Sequence, residues 1–345
     1  MKIAVYTIAL NEEKHVERWY ESAKDADYLL IADTGSTDKT IKIAKKLGIN
    51  VVKISVNPFR FDDARNVALA SLPDDIDYCV SMDMDETLSE GWREHLEKMT
   101  ADRITYIFNI TFRDIDETVP ESQMINNRIH KRHGFRWKYL MHEAIIPSRT
   151  KRITEEFCKG LEVSHHPDQD KPRDQYNQMI EDAYEEYKIP RYASYHGLQL
   201  YSFERFDEAK KVFKEIIKHK QTNKAEKASA KRYISYCVKR GKNFYLHLSL
   251  LTAKTRETYC QLALNHYHKE NWLRSYFYAK KAKGITIKNA GIFTSEMFWG
   301  YLPHNLESVA KFNMKLNKFS KSYNDNKRTI QINSIITHNF KIFED

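Results

Sequence analysis

Apolar and polar positions alternate along the first quarter of the chain in a pattern that switches between strand and helix. Lys2–Thr7 is a short β-prone apolar run, and Glu12–Ala23 then carries apolar residues at helical spacing. The pattern continues with predicted strands and helices at Tyr28–Ala32, Lys39–Leu47, Asn50–Ser55, Asp62–Leu72 and Tyr78–Met82. This order predicts a parallel, doubly wound α/β sheet that binds ligands at the carboxyl ends of its strands.

The pattern changes near Pro172, after which helical segments rich in Tyr, Lys and Ala follow one another. Three segments that start at Tyr201, Tyr236 and Tyr267 loosely share positions at offsets of five, eight and twelve. Their spacings of 35 and 31 residues are close to the roughly 34-residue tetratricopeptide repeat. We therefore expect a tetratricopeptide-like all-α helical-repeat domain over residues 171–330 and a C-terminal tail over 331–345, with an unrelated helical bundle as the alternative.

Length and composition exclude several classes of protein. The 345 residues suffice for two domains, and 41% hydrophobic with 30% charged residues is typical of neither a disordered nor a membrane-spanning chain. No apolar run approaches the roughly 20 residues of a spanning helix, and the N-terminal run is too short for a signal peptide. The four cysteines form no Cys-x-x-Cys pair, which argues against a disulfide framework. These features predict a cytoplasmic protein.

Charge is unevenly distributed between the two halves. Residues 1–170 carry 24 Lys and Arg against 30 Asp and Glu, a net charge of −6, whereas residues 171–345 carry 32 against 17, a net charge of +15. The basic half has two interpretations, a lysine-rich solvated helix surface or a surface that binds a polyanion such as nucleic acid.

Two acidic residues, Asp83 and Asp85, directly follow the strand predicted at Tyr78–Met82. A rigid strand end can turn both carboxylates into one crevice, where oxygen ligands suit Mg²⁺ or Mn²⁺. The alternative is a polar strand end with solvated acids, because a bare Asp-x-Asp pattern is a weak motif.

Four segments give this pair a context. They are Thr7-Ile8-Ala9-Leu10-Asn11-Glu12-Glu13, Ile31-Ala32-Asp33-Thr34-Gly35-Ser36-Thr37-Asp38-Lys39-Thr40, Ala64-Arg65-Asn66-Val67-Ala68-Leu69 and Met82-Asp83-Met84-Asp85-Glu86. In order and spacing they resemble glycosyltransferase family 2. The resemblance covers about residues 1–145 and implies a GT-A domain, here placed at 1–170. It also implies inverting, metal-dependent transfer from a nucleoside-diphosphate sugar, a UDP-sugar first, with Mn²⁺ or Mg²⁺. A branch of the family carries a trailing helical-repeat region.

The resemblance implies roles for the residues that match these motifs. Asp33 would hydrogen-bond the nucleotide base, and Thr7, Leu10 and Glu12 would line the base pocket. The family often carries an aromatic residue where Leu10 stands, so stacking on the base is not implied here. The alternative for all four residues is ordinary loop and helix-cap chemistry.

The same resemblance places Arg65, Asp83 and Asp85 around the diphosphate and the sugar. Arg65 would approach the diphosphate or the sugar, since a guanidinium fork matches phosphate oxygens; a surface ion pair with Asp62 is the alternative. Asp83 would contact ribose or sugar, and Asp85 would bind the metal.

A second cluster, Arg136-Trp137-Lys138-Tyr139-Leu140-Met141-His142-Glu143, resembles the Trp and His-Glu pair of a family branch. Trp137 would stack on a sugar face, His142 would bind the metal or the diphosphate, and Glu143 would act as the general base. Structural roles for His142 and Glu143 are the alternatives.

Other residues compete for two of these roles. Asp114 and Asp116 are rival bases, and Asp116 joins Glu143 as a predicted catalytic residue. His165 or His166 would reach the metal instead of His142, although adjacent side chains usually point to opposite sides, so only one of them would do so.

Two further functions compete with glycosyl transfer. A nucleotidyltransferase shares the fold class, but it would be expected to carry a glycine-rich phosphate loop after its first strand, and this loop has no glycine. A non-catalytic helical adaptor would not need Asp33, Asp83 and Asp85. The acceptor remains open between a glycan or lipid-linked glycan, a protein and DNA, and helical repeats favour a homodimer.

Overall fold

The computed structural model describes residues 1–110, 122–150, 152–167, 174–288, 293–294 and 296–319. The chain divides into two compact units between Met179 and Ile180. The predicted limits at 170 and 330 stay predictions, and the tail predicted over 331–345 lies outside the described residues. No helix of the described residues is long and apolar enough to cross a membrane.

The N-terminal unit is built on an eight-stranded sheet in the order β3-β2-β1-β4-β7-β6-β10-β5, with β8 and β9 forming a separate hairpin. The strands are β1 Ile3–Ala9, β2 Tyr28–Asp33, β3 Asn50–Lys53, β4 Tyr78–Ser81, β5 Glu86–Leu88, β6 Arg103–Ile110, β7 Ser122–Lys131, β8 Phe135–Lys138, β9 Ala144–Pro147 and β10 Glu155–His165. The helices before β10 are α1 Val16–Ala23, α2 Thr40–Lys46, α3 Phe61–Ala70 and α4 Trp92–Leu96.

Alternate residues of β1 supply the two cores on opposite faces of the sheet. Ile3 and Val5 pack into one core with Trp19, while Ala4 and Tyr6 pack into the other with Trp137. Because successive side chains of a strand point to opposite faces, a strand covered on both sides is apolar throughout. That is why Lys2–Thr7 shows an apolar run rather than an alternation.

The predicted parallel sheet is confirmed for its first four strands. β1 is parallel to β2 and β4, and β2 is parallel to β3. Beyond β4, where the apolar pattern predicted no further strands, the sheet is mixed, because β7 is antiparallel to β4 and β6. The sequence of β7 includes Asn126 and Asn127, whose polarity conceals the strand.

Helix ends differ from the predicted ones by a few residues. α1 begins at Val16 instead of Glu12, because residues 13–15 form a turn in which the His15 N–H donates to the Glu12 carbonyl at 2.8 Å. Gly48 ends α2 with φ 79° as predicted, since a left-handed residue after the helix favours glycine.

Every element described from residue 174 onward is a helix. The bounds are α5 Asp174–Tyr187, α6 Pro190–Ser202, α7 Phe206–Lys218, α8 Lys224–Tyr236, α9 Lys242–Thr252, α10 Arg256–Tyr267, α11 Trp272–Lys283, α12 Glu296–Trp299 and α13 Leu302–Phe319. Consecutive helices pack as pairs α6–α7, α8–α9 and α10–α11. The helical region is therefore confirmed.

The repeated positions lie at equivalent places in these pairs. Tyr201, Tyr236 and Tyr267 each fall in the last turn of a first helix. At offset eight, Ala209 and Ser275 are fully buried, whereas Phe244 of the middle pair is 62% exposed. The middle pair thus departs from the pattern, and the tetratricopeptide assignment stays a prediction.

Candidate active site

The parallel strands β1, β2 and β4 end at one edge of the sheet, where most of the predicted site residues lie. Ala9 of β1 lies opposite Asp33 of β2, and Tyr6 of β1 lies opposite Ser81 of β4. The loops that follow these three strands therefore share one edge, as expected for a ligand crevice in an α/β sheet.

The loops after β1 and β2 are held together by side chain to backbone hydrogen bonds. The side-chain Oδ1 of Asn11 accepts from Thr37 N at 2.8 Å, and the backbone N–H of Asn11 donates to the Ser36 hydroxyl at 2.9 Å. Asn11 itself has φ 55°, a left-handed conformation that asparagine tolerates better than most residues. The two motifs thus form one rigid corner of the site.

The four residues predicted to bind the base have very different exposures. Leu10 is 48% exposed and open to a ligand, whereas Thr7 is fully buried and donates from its hydroxyl to the Ile8 carbonyl at 3.0 Å. Glu12 is buried close to His15. Asp33 is buried and accepts from the backbone N–H groups of Gly35 and Ser36 at 3.1 and 3.2 Å.

Arg65, on α3, is the centre of a buried charge network. Its Nη2 donates to Asp83 Oδ1 and its Nε donates to Glu143 Oε1, both at 2.5 Å. Its Nη1 donates to the Ser81 hydroxyl at 3.2 Å. Arg65 is only 3% exposed, while Asp62 pairs with Arg60 at 3.2 Å. The structure thus brings three predicted residues together and does not support the surface ion pair of Arg65 with Asp62.

Asp83 is held between two guanidinium groups. Arg128 of β7 donates from Nη1 to Asp83 Oδ2 at 2.8 Å, opposite Arg65. Burial disfavours the Asp83 carboxylate, but the charges and hydrogen bonds of Arg65 and Arg128 outweigh burial and hold the pKa of Asp83 far below its usual range.

Glu86 and Arg128 belong to this network and were not predicted from the sequence. Glu86 accepts from the backbone N–H of Asp83 at 2.8 Å and from Arg128 Nη1 at 3.3 Å. Burial and the neighbouring charge of Asp83 raise the pKa of Glu86 to about 7. Arg128 lies 45 residues from Asp83 in a polar strand with no recognisable motif, whereas Glu86 adjoins Asp85 in the motif already noted.

Asp85 contacts a histidine from the far end of the domain. His165, the last residue of β10, lies with Nε2 3.2 Å from Asp85 Oδ2, and His166 N donates to the Asp85 carbonyl at 2.9 Å. Burial disfavours the imidazolium, but hydrogen bonding to Asp85 and the nearby acidic charges raise the pKa of His165. Of the adjacent histidines 165 and 166, the first brings its ring to the predicted metal ligand.

Trp137 lies beneath Arg65 as an internal support. The Arg65 guanidinium carbon is 5.0 Å from the centre of the indole ring, and Trp137 Nε1 donates to the Tyr6 hydroxyl at 2.7 Å. Asn66 accepts from Trp137 N and donates to its carbonyl, at 2.8 and 2.9 Å. With an exposure of 2%, the ring presents no open face to a sugar in this structure, contrary to the expected stacking.

The remaining predicted residues lie in the turn between β8 and β9 or outside the residues that the structure describes. His142 is exposed and left-handed, with φ 48°. Glu143 precedes β9 and reaches inward to Arg65. Asp114 and Asp116 lie outside the described residues.

The fit of a divalent cation can be judged from these donors. The described residues contain no group of three or more His, Cys, Asp and Glu side chains arranged to hold a metal ion. Asp85 and His165 nevertheless offer one carboxylate and one imidazole nitrogen side by side. Mg²⁺ is commonly held by one or two carboxylates together with water and substrate phosphates, and a neutral imidazole nitrogen is a common metal ligand in proteins. These two residues suit a cation that completes its coordination with a diphosphate.

Residues 4–150 match the family model described as glycosyl transferase family 2. Among curated proteins, an uncharacterized glycosyltransferase of Rickettsia bellii is 35% identical over 104 residues, which cover 29% of this chain and 33% of the relative. One of Rickettsia typhi is 32% identical over 102 residues, with coverages of 29% and 33%. The chain thus spans about a third of the length of the curated relatives it matches.

Solved structures also share similarity with the chain. Glucosyl-3-phosphoglycerate synthase from Mycobacterium tuberculosis, in complex with Mn²⁺, UDP and phosphoglyceric acid, is 25% identical, with a TM-score of 0.27 and coverages of 33% of this chain and 44% of that one. TarS of S. aureus is 13% identical, with a TM-score of 0.37 and coverages of 73% and 52%.

The family match covers the motifs at the ends of β1, β2 and β4 and the hairpin that carries Trp137 and Glu143. Over residues 4–150 the chain therefore matches glycosyl transferase family 2, and this α/β domain is followed by a helical region.

Proposed function

We propose that the protein transfers a sugar, with inversion, from a nucleoside-diphosphate sugar to an acceptor in a reaction that needs Mn²⁺ or Mg²⁺. The carrying observation is the Arg65 network, which joins Asp83 at the end of β4 to Glu143 of the β8–β9 hairpin. Asp85 and His165 lie directly beside it. These contacts support a donor site, an acceptor-side carboxylate and a cation site at one edge of the sheet.

The nucleotide end of the donor, a UDP-sugar in this proposal, lies against the corner formed by the loops after β1 and β2. Asp33 holds the base and Leu10 covers it, because one is fixed at a strand end and the other is exposed. Thr7 and Glu12 are buried and shape this corner from within. Asp83, clamped by Arg65 and Arg128, faces the ribose or the sugar.

Asp85 and His165 would hold the cation, in place of the predicted pair of Asp85 and His142. A divalent cation there neutralises negative charge on the departing diphosphate. The protein's own contribution is to hold Asp85 directly before β5 and His165 at the end of β10, since these strands are antiparallel neighbours with His165 opposite Glu86. His142 lies in the exposed turn and is left to contact the diphosphate or the acceptor.

Glu143 is our candidate general base. Arg65 fixes its Oε1, and Glu143 Oε2 makes no hydrogen bond to any described residue, so a carboxylate oxygen is available to an acceptor hydroxyl. Asp116 is the competing base. If Glu143→Gln abolishes transfer but keeps UDP binding, while Asp116→Asn retains transfer, the assignment to Glu143 stands; the reverse pattern assigns the base to Asp116.

The acceptor is a glycan or lipid-linked glycan in this proposal, with protein or DNA as the other classes. The basic helical unit is a candidate partner surface for a polyanion, and a homodimer through the helical pairs is a further prediction. DNA binding that weakens steeply with added salt would favour the nucleic-acid class, because such binding releases counterions.

The deciding experiment measures UDP binding by calorimetry with and without Mn²⁺, together with hydrolysis of a panel of nucleotide sugars. We expect Mn²⁺ to tighten UDP binding in the wild type and not in Asp85→Ala or His165→Gln. Asp207→Asn, which alters an exposed carboxylate of α7, is the matched control. Binding that ignores Mn²⁺, with no hydrolysis of any donor, would instead favour a non-catalytic adaptor.

A further inference from the structure

A strongly basic segment lies within the acidic half of the chain. Residues 131–154 contain seven Lys and Arg and a single acidic residue, Glu143, although residues 1–170 as a whole carry six more acidic than basic residues (30 against 24). The segment includes the hairpin of β8 and β9. Its charge therefore contrasts with the rest of the unit.

Three of these basic residues, Arg136, Arg149 and Arg152, line a shallow pocket of about 530 Å³, which we call the arginine pocket. Arg136 lies on β8 opposite Ile146, and the Ser148 N–H donates to the Gly134 carbonyl at 2.8 Å to close the hairpin. The remaining lining residues are Ile146, Pro147, Ser148 and Thr150. The volume lies within the usual range for small-molecule sites, about 300–1,000 Å³.

The three guanidinium groups make no hydrogen bond or salt bridge with any residue in the described part of the chain. Other arginines of the same unit are engaged: Arg103 pairs with Glu155, and Arg132 donates to the carbonyls of Leu72 and Pro73. The one acidic residue of the basic segment, Glu143, is held by Arg65. The arginine pocket therefore concentrates positive charge that these neighbours do not neutralise.

The arginine pocket is separate from the proposed donor site. Arg136 is exposed, whereas its neighbour Trp137 is buried beneath Arg65, so the two side chains occupy opposite faces of β8. Ile145 and Ile146 alternate in the same way on β9, the first buried and the second partly exposed. Neither Asp83 nor Asp85 lines the pocket.

We propose that the arginine pocket binds a phosphate group of a ligand other than the nucleotide sugar. Guanidinium forks match phosphate oxygens with paired N–H donors, and the hydroxyls of Ser148 and Thr150 add neutral donors at the same place. A phosphate group carries more oxygens than a carboxylate and so suits three guanidinium groups that line one pocket. The group belongs to a soluble organophosphate or to the headgroup of an anionic phospholipid, which present the same chemistry.

The test compares the full-length wild type with the triple variant Arg136→Gln, Arg149→Gln, Arg152→Gln. The matched control is the triple variant Lys42→Gln, Lys45→Gln, Lys46→Gln, which removes the same charge from three exposed positions of α2. Glycerol 3-phosphate is the soluble probe in calorimetry. Vesicles of phosphatidylglycerol, with phosphatidylcholine vesicles as the neutral reference, are the lipid probe in flotation.

We expect the wild type and the lysine control to bind at least one probe, and the arginine triple variant to bind it about tenfold or more weakly, because each guanidinium lost removes a charge-assisted hydrogen bond. Binding of glycerol 3-phosphate identifies a soluble ligand, and binding of phosphatidylglycerol vesicles alone identifies a lipid headgroup. Binding of neither probe by the wild type, or equal losses in both triple variants, overturns the proposal.

Two further measurements keep the result interpretable. Circular dichroism checks the fold, and the single variant Arg149→Gln, at an exposed residue after β9, replaces the triple variant if that variant does not fold. Loss of the Arg149 guanidinium alone is then expected to weaken binding of the probe about threefold. Unchanged binding of the probe overturns the proposal. UDP binding in the presence of Mn²⁺ is measured on the same samples and is expected to be unaffected, so failure of the donor site is distinguished from failure of the arginine pocket.

Discussion

Arg65 in the N-terminal unit and Arg232 in the helical unit are both buried, with exposures of 3% and 1%, but their guanidinium groups meet different partners. Arg65 is bound by the carboxylates of Asp83 and Glu143. Arg232 donates to the Phe293 carbonyl at 2.8 Å and to the Tyr236 hydroxyl at 3.1 Å. A buried cation is costly unless it is paired and hydrogen-bonded. Arg65 meets this requirement with two carboxylates, whereas Arg232 has neutral oxygen acceptors and aromatic rings, and its Nε has no hydrogen-bond partner among the described residues.

The helical unit uses its buried arginines to hold the chain together. Arg232 also packs against the rings of Tyr233 and Phe298, and Arg256 donates to the Phe298 carbonyl at 2.8 Å with its guanidinium over the Trp299 ring. These contacts join α8 and α10 to residues 293–299. The network around Arg65 instead gathers acids at strand ends, where a ligand can reach them. The same residue type therefore serves packing in one unit and, in our proposal, catalysis in the other.

The largest expected effect is that of Arg65→Lys. An ammonium on a flexible stem cannot reproduce the fork that joins Asp83 to Glu143, so we expect the rate of sugar transfer or donor hydrolysis to fall about a hundredfold or more. Steady-state kinetics measure the change. Arg93→Lys is the control, since Arg93 also bridges two acids, Asp27 and Glu97, but outside the site. Equal rates in Arg65→Lys and wild type would contradict a role for Arg65 in the reaction.

The same substitution in the helical unit is expected to change stability instead. Arg232→Lys leaves the Phe293 carbonyl or the Tyr236 hydroxyl without its donor and should lower the free energy of unfolding by about 2 kcal/mol. Activity per folded molecule should stay within about twofold, because the residue lies in the other unit. Urea denaturation measures the free energy of unfolding, and steady-state kinetics on the same preparation measure the activity. A rate loss like that of Arg65→Lys would break the contrast between the units.

Stability should also respond to pH differently in the two units. Burial lowers the pKa of His130 in the N-terminal unit to about 4. The unfolded chain binds this proton below about pH 6.5 and the folded chain only below about pH 4, so stability falls as pH decreases through that range. From pH 7 to 5 the loss expected from His130 alone is about 2 kcal/mol, and the raised pKa of Glu86 opposes it, because the folded carboxyl group takes up its proton at a higher pH than the unfolded one. In the helical unit, hydrogen bonds from Lys283 and Lys311 lower the pKa of Glu307 to about 2.

The contribution of Glu307 is complete above about pH 4.5 and is lost as pH falls towards 2, because only then does the folded carboxylate take up its proton. The free energy of unfolding of the wild type, measured in urea relative to His130→Gln, should therefore fall by about 2 kcal/mol from pH 7 to 5. Relative to Glu307→Gln, it should change only below about pH 4.5. Limited proteolysis at each pH reports which unit opens. Identical pH profiles for wild type and His130→Gln would exclude His130 as the cause.

The smallest expected effect is that of Tyr6→Phe. The change removes the acceptor of the Trp137 indole N–H, and an unpaired buried donor costs about 1–2 kcal/mol of folding free energy. Because Trp137 supports Arg65, we also expect a loss of activity of about threefold at constant KM for the donor. Tyr78→Phe is the control, since its hydroxyl donates to the Ala101 carbonyl away from the site. Full activity in Tyr6→Phe would limit Trp137 to a packing role.

The local sequence pattern was sufficient to predict those strands and helices whose own residues carry a clear apolar period. The first four strands were predictable because β1, β2, β3 and β4 are apolar runs bounded by turn residues, and the family motifs sit at their ends. The strands after β4 were not, since a polar strand such as β7 shows no period that distinguishes it from a loop. Arg128, which lies on that strand, was missed for the same reason.

The candidate active site likewise contains residues that the sequence could assign and residues that only the structure could place. Asp83 and Asp85 could be assigned to a strand end, and Arg65 to a role beside them, from motif order alone. Trp137 was assigned to a sugar face because its position in a motif says nothing about exposure, and the tertiary structure buries it between Tyr6 and Arg65. His165 was one of several candidates, and only the pairing of β10 with β5 brings it to Asp85, 80 residues away.

By itself, the sequence determined the order of elements, the division into an acidic α/β half and a basic helical half, and the acids that face the ligand edge. Those properties follow from residue type and local period, which need no knowledge of distant contacts. The tertiary structure decided that Arg65 joins Asp83 to Glu143, that His165 contacts Asp85, and that three arginines of a basic segment line one pocket. Long-range strand pairing and burial determine which side chains contact each other and which stay exposed, and the local sequence pattern specifies neither.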